Sequence, residues 1–167
     1  MPKIKLALNV SAATATDPQW LHGLEAFAKG SGLAERLTIE ITETAAISDL
    51  EETAEFVTAL KALGCRVALD DFGAGYTSFR SLRLLGVDMV KIDGSFIQNL
   101  GTQAEDELFV RTLIELAKSF GITTVGEWVG DEKTAKMLEK AGISYMQGYF
   151  FGAPELTKPE VAAKPAG

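Results

Sequence analysis

An incomplete TIM-type (β/α)8 barrel, with about six parallel strands and intervening helices, is the α/β fold class that this sequence predicts, on three observations. Short β-branched or apolar runs alternate six times with amphipathic helical segments. A strand joined to the next by a single helix re-enters the sheet at the same end, so the strands run parallel. Polar residues gather at the C-terminal ends of the six runs: Asn9, then Glu40 and Glu43, Asp70 and Asp71, Lys91 and Asp93, Glu127, and Gln147. A doubly wound sheet builds its site at one switch point from fewer strands, whereas a barrel rim draws on all of them.

The predicted strands span residues 4–10, 37–43, 66–71, 89–93, 122–127 and 145–150. Asp17-Pro18 supplies an N-cap and a proline at the first helical position, and Gly30 or Gly32 closes that helix. Ser48-Asp49-Leu50-Glu51 reads as a capping box, followed by an apolar stripe of Ala54, Phe56, Val57, Leu60 and Leu63 that ends at Gly64. Helices over 77–85, 105–120 and 131–141 stop at Gly86, Gly121 and Gly142, each a few residues before the next strand. In Leu37-Thr38-Ile39-Glu40-Ile41-Thr42 the apolar side chains face the helices, and Thr38, Glu40 and Thr42 face the barrel interior. The same alternation places Lys91 and Asp93 inside together. An ionised side chain in that interior costs several kcal/mol unless paired or metal-bound, so these positions demand partners.

The 167 residues, 47% hydrophobic and 23% charged, suit one compact domain with its own core. The expected domain covers 1–156, with a loose Lys-, Pro- and Ala-rich tail at 157–167. A formal net charge of −7 argues against nucleic-acid polymers and anionic membranes as partners, yet not against a phosphate ligand held through bound cations. No apolar run approaches the roughly 20 residues needed to cross a bilayer, and the N-terminus has no signal-peptide segment, so a cytoplasmic location is expected. The single cysteine, Cys65, lies in an apolar run and reads as a small core residue. The single histidine, His22, reads as a solvated helix residue.

Asn9, Glu40, Asp70, Asp71 and Glu127 are hard oxygen donors, which suit Mg²⁺ or Mn²⁺ better than zinc. Adjacent carboxylates at Asp70 and Asp71 allow one to bridge two metals while the other binds only the second, an arrangement fit for phosphodiester hydrolysis. Lys91 is placed to orient a nucleophilic water or neutralise a phosphate oxygen; an internal salt bridge with Asp93 or Glu127 is the plainer alternative.

Leu8-Asn9-Val10-Ser11, Ile39-Glu40-Ile41-Thr42-Glu43, Asp70-Asp71-Phe72-Gly73-Ala74-Gly75-Tyr76-Thr77-Ser78-Phe79, Lys91-Ile92-Asp93-Gly94-Ser95-Phe96 and Gln147-Gly148-Tyr149 with Pro154 follow one another in order. Together this series resembles the EAL phosphodiesterases of cyclic di-GMP, over residues 3–156. The resemblance implies hydrolysis of cyclic di-GMP to linear pGpG in bacterial second-messenger signalling. It implies one metal on Asn9, Glu40 and Asp70, and a second metal or its water on Asp70, Asp71 and Glu127. Lys91 would hold the nucleophilic water and Gln147 would support the pocket. Glu43 would steady the loop from Phe72 to Phe79, whose Gly73 and Gly75 hinges couple dimerisation to metal binding; a glycine-rich β-α turn is the bland reading of that loop.

Two departures temper the resemblance. The namesake Glu-Ala-Leu segment with its following arginine does not precede Asn9, and the usual Ala-Glu-Gly-Val-Glu is replaced by Gly126-Glu127-Trp128-Val129-Gly130. The expectation is therefore an excised or truncated barrel with exposed edges, closed by an upstream segment or a homodimer partner and feeble as a hydrolase alone. A degenerate cyclic di-GMP receptor or dimerisation module is the alternative. A two-carboxylate glycosidase is a third and weaker reading, opposed by the Asp70-Asp71 pair beside Lys91.

Overall fold

The computed structural model describes residues 4–15, 17–28, 32–75 and 78–154. Gly30, the Tyr76-Thr77 pair and the expected tail lie outside the described residues. Six strands form one all-parallel sheet in chain order: β1 (Leu6–Val10), β2 (Leu37–Thr42), β3 (Arg66–Phe72), β4 (Met89–Ile92), β5 (Thr123–Gly126) and β6 (Tyr145–Met146). Neighbours in sequence are neighbours in the sheet, without a reversal. Right-handed crossovers in that order place the helices on one face, which gives a barrel wall; a doubly wound sheet reverses its order midway.

The helices are α1 (Ala12–Ala15), α2 (Pro18–Ala28), α3 (Glu43–Ser48), α4 (Leu50–Ala62), α5 (Phe79–Leu85), α6 (Gly94–Gln98), α7 (Ala104–Ser119) and α8 (Glu132–Ala141), with a 3₁₀ turn at Ala34–Arg36. Their apolar stripes meet the outward side of the strands. Phe56, Val57 and Leu60 of α4, Leu82 and Leu85 of α5, and Leu113, Ile114 and Ala117 of α7 are buried with Ile39, Ile41, Val67, Leu69, Val90 and Ile92. Each large side chain among them contributes roughly 1.5–3 kcal/mol by leaving water. Cys65 is buried in the same core, where desolvation raises its thiol pKa, and His22 is exposed.

Several boundaries differ from expectation, each for a local reason. The N-cap of α4 is Asp49, whose carboxylate accepts from Glu52 N at 2.9 Å, so the cap lies one residue later than the Ser48 box. Ser48 instead ends α3 and its hydroxyl donates back to Ala45 O. The helix expected from 77 starts after Ser78, which caps it through Ser81 N. Asp93 stands past β4 and caps α6, a short helix the sequence pattern did not disclose. Glu43 opens α3, and Glu127 and Asp93 follow their strands by one residue. The last strand is two residues long, shorter than the 145–150 run.

The sheet does not close on itself among the described residues. Its β1 edge leaves Ile4, Leu6 and Leu8 exposed, and Tyr145, Tyr149, Phe150 and Phe151 are exposed at the other edge. No helix of the described chain is long and apolar enough to cross a membrane.

Candidate metal and phosphodiester site

Register sets the site. Asn9 pairs with Glu40 across β1 and β2, and Thr42 pairs with Asp70 across β2 and β3, so these side chains share the inner face. Between the pairs Leu69–Val90 and Phe72–Ile92, β3 carries two residues and β4 one, a β-bulge. Asp70 and Asp71 thus stand together opposite Lys91. Asp71 completes the bulge at φ 55°, a left-handed conformation that Asp tolerates better than most residues. Regular alternation would have sent the two aspartates to opposite faces.

Lys91 is buried, and its Nζ lies 2.8 Å from Asp70 Oδ1, 3.0 Å from Glu127 Oε1 and 3.1 Å from Glu40 Oε2. Three ammonium donors therefore meet carboxylates from three different strand ends. Burial alone would depress the lysine pKa; the hydrogen bonds to Asp70 and Glu127, with their charges, more than offset it and push it up. Desolvation raises the Glu127 pKa, opposed by Lys91 and reinforced by Asp70 and Asp71. Asp71 is raised by desolvation first, then by Asp70 and Asp93. Glu127 stays raised although it touches Lys91, because desolvation by burial, with the charges of Asp70 and Asp71, outweighs the ammonium.

Oxygens of Asp70, Asp71 and Glu127 lie within 4.8 Å of one another. With Glu40 they set four carboxylates against one ammonium, and that excess of negative charge on hard oxygens is what a divalent cation fits. Asn9 is exposed on the edge strand, directly across the ladder from Glu40. The amide of Gln147 donates to Glu127 Oε1 at 3.3 Å, bringing the last strand end to the cluster. Asp93 does not pair with Lys91. Its carboxylate instead accepts from the backbone and hydroxyl of Ser95, because the chain turns into α6 directly after β4.

Glu43 is buried and its Oε2 accepts from Gly73 N at 2.8 Å and Gly75 N at 3.0 Å, so one carboxylate ties down the loop after β3. A Cβ on Gly75 would lie 2.9 Å from Glu43 Oε1, and one on Gly73 would lie 2.8 Å from the Phe96 ring. Both glycines permit close approach, and Gly73 also has φ 104°. Phe72, buried beneath, packs near Phe79.

Sequence reasoning missed the aromatic side of the mouth. Trp128 follows Glu127 at φ 52°, is 56% exposed, and lays its indole on Gly94, where a Cβ would sit 2.2 Å from its Cδ2. Trp128, Gly130, Gln147, Tyr149 and Phe151 line a cleft of about 890 Å³ beside Glu127. The signal available was the cluster Tyr149-Phe150-Phe151 directly after Gln147-Gly148, too polar a setting for core aromatics.

A family model described as the EAL domain matches residues 1–154. The cyclic di-GMP phosphodiesterase PdeF of Escherichia coli is 33% identical over 156 residues, covering 93% of this chain and 21% of that protein. PdeB of Shewanella oneidensis, also a cyclic di-GMP phosphodiesterase, is 43% identical over 116 residues, covering 70% of this chain and 14% of its own length. The chain thus spans about a fifth or less of these curated relatives. Among solved structures, the FimX EAL domain from Pseudomonas aeruginosa bound to c-di-GMP superposes with a TM-score of 0.84 at 32% identity, over 90% of this chain and 62% of that one. A Klebsiella pneumoniae manganese and cy-diGMP complex gives 0.80 at 27% identity, over 89% of this chain and 38% of that one.

Proposed function

Because the chain belongs to the EAL domain family, we propose that it carries the catalytic wall of a cytoplasmic, metal-dependent hydrolase that opens one phosphodiester of cyclic di-GMP to give linear pGpG. The observation that carries this reading is the convergence of Glu40, Asp70 and Glu127 on Lys91, with Asp71 beside them. Asn9, Glu40 and Asp70 would hold one Mg²⁺ or Mn²⁺, and Asp70, Asp71 and Glu127 a second. Such ions supply positive charge to phosphate oxygens and acidify water.

The protein's own groups do the rest. Asp71 and Glu127, which close on Asp70 at the strand ends, would stand beside the attacking water and accept its proton. The water oxygen forms the new P–O bond, the ester P–O bond breaks, and the leaving oxygen takes up a proton from solvent, matching the one given up by the water. Lys91, held among Glu40, Asp70 and Glu127, would keep a positive charge close to the phosphate and steady the charge that builds on its oxygens. Gln147 orients the Glu127 carboxylate. Trp128, Tyr149 and Phe151 offer flat apolar faces on which a purine ring stacks. Glu43, through Gly73 and Gly75, links the site to the loop after β3, the proposed route by which a homodimer partner acts on metal binding.

A receptor reading is favoured by one observation: Gly130 stands where the family's second glutamate is usual, so the chain is proposed to turn over slowly by itself. Titrating cyclic di-GMP into the chain with and without Mg²⁺ or Mn²⁺, and scoring binding and pGpG release separately, decides between them. Metal-dependent release lost in Asp70→Asn supports the hydrolase. Binding with no release under any metal supports the receptor.

A further inference from the structure

We propose that the Lys91 ammonium is the resident cation of the acidic cluster, and that a divalent metal gains the site by exchanging with it, so that Lys91 sets how tightly metal is held. The proposal rests on reading the cluster as a divalent-metal site. Lys91 Nζ lies 2.8 Å from Asp70, 3.0 Å from Glu127 and 3.1 Å from Glu40. All three of its donors are engaged, on oxygens of the kind a hard cation requires.

Two cations held on one set of buried oxygens repel strongly, since the surroundings screen them far less than water does. Metal loading therefore opens at least one of the three ion pairs. The lysine backbone stays in place, fixed in β4 between the buried Val90 and Ile92, while its flexible four-carbon stem lets the head move. Exchange runs in both directions. Without metal, the ammonium offsets some of the charge of four carboxylates and stabilises the sheet; with metal, it is released to face the phosphate. A side chain that only neutralised phosphate would not need to satisfy three carboxylates at once.

The test is titration calorimetry of Mn²⁺ into the full chain, Lys91→Met and Lys91→Arg, with a thermal melt of each with and without Mn²⁺. Lys91→Met is expected to bind Mn²⁺ about tenfold or more tightly than the parent, to melt lower without metal, and to gain more from it. Lys91→Arg, which keeps the charge, is expected to bind no more tightly than the parent. Unchanged or weaker binding in Lys91→Met, beside clear binding in the parent, overturns the exchange and makes Lys91 a positioning residue for the carboxylates. Absence of binding in all three proteins overturns the metal reading itself, and this proposal with it. If Lys91→Met folds only with metal, the ¹³Cε signal of Lys91 in the parent decides: it must move on Mg²⁺ loading, and a signal that stays put counts against exchange.

Discussion

The C-terminal ends of β3 and β5 flank Lys91 and use one backbone device to opposite effect. Each places a non-glycine residue at positive φ directly after a carboxylate that touches the ammonium: Asp71 after Asp70, and Trp128 after Glu127. That conformation costs an L-residue roughly 1–2 kcal/mol. At β3 the turn completes a bulge and delivers a second carboxylate to the same cluster. At β5 it throws the indole out of the cluster, across Gly94 and onto the wall of the aromatic cleft. Strand alternation sends consecutive side chains to opposite faces; where both must serve one mouth, the backbone leaves its regular course. One end concentrates charge and the other shapes the opening.

Substitutions at the two ends sharpen that contrast. Asp70→Asn is expected to have the largest effect, weakening Mn²⁺ binding and slowing pGpG release by more than about 100-fold, because it removes a shared metal donor and one of Lys91's three partners. Glu127→Gln should lose less, since the β3 pair remains. Equal losses at both positions, measured by the same Mn²⁺ isotherms, would show that the bulge confers no advantage.

Acid comes next in size. Desolvation and neighbouring aspartates raise the Asp71 and Glu127 pKa values, so protons compete with metal from a higher pH than for ordinary carboxylates. Mn²⁺ affinity should fall on acidification by about tenfold per pH unit for each displaced proton once below those values. For the metal-free fold the sign is the reverse. These raised carboxylates contribute stability that is present below their unfolded pKa values and lost as pH rises through the folded ones. Lys91, raised as well, contributes stability that persists through neutral pH and is lost only as strong alkali titrates its ammonium. Isotherms and melts over a pH series check both directions.

At the β5 end, Gly94→Ala should cost about 1–2 kcal/mol through its clash with Trp128. The cost should largely vanish in a Trp128→Gly background, a double-mutant cycle read from denaturant melts. Purely additive changes would mean that the indole does not depend on Gly94. The smallest effect is expected at Gly130, where an added Cβ meets only Trp128 O, at 4.0 Å. Gly130→Glu should therefore change stability by no more than about 0.5 kcal/mol. It should raise cyclic di-GMP binding if the missing glutamate is the defect.

Much of the site was legible in the chain order. Glu40 and Lys91 are each the one charged residue of a short strand, at a position that faces the interior, and a charged residue there had to find a partner. Lys91 found Glu40, Asp70 and Glu127, but not Asp93, because the turn into α6 takes Asp93 into a helix cap. Asp49 replaced Ser48 as a cap for a similar reason: both residue types cap well, and only the packing of α3 against its strand chooses between them. Trp128 was illegible, since nothing in its neighbours' types announces a left-handed backbone.

By itself the sequence determined six parallel strands, the helices between them, and the carboxylates and lysine at their ends, because periodicity, caps and charge are local properties of the chain. Tertiary structure alone decided that Asp70 and Asp71 face the same way, that three carboxylates divide one ammonium, and that an indole rests on Gly94. Those depend on register between strands, where a single inserted residue redirects the side chains that follow it.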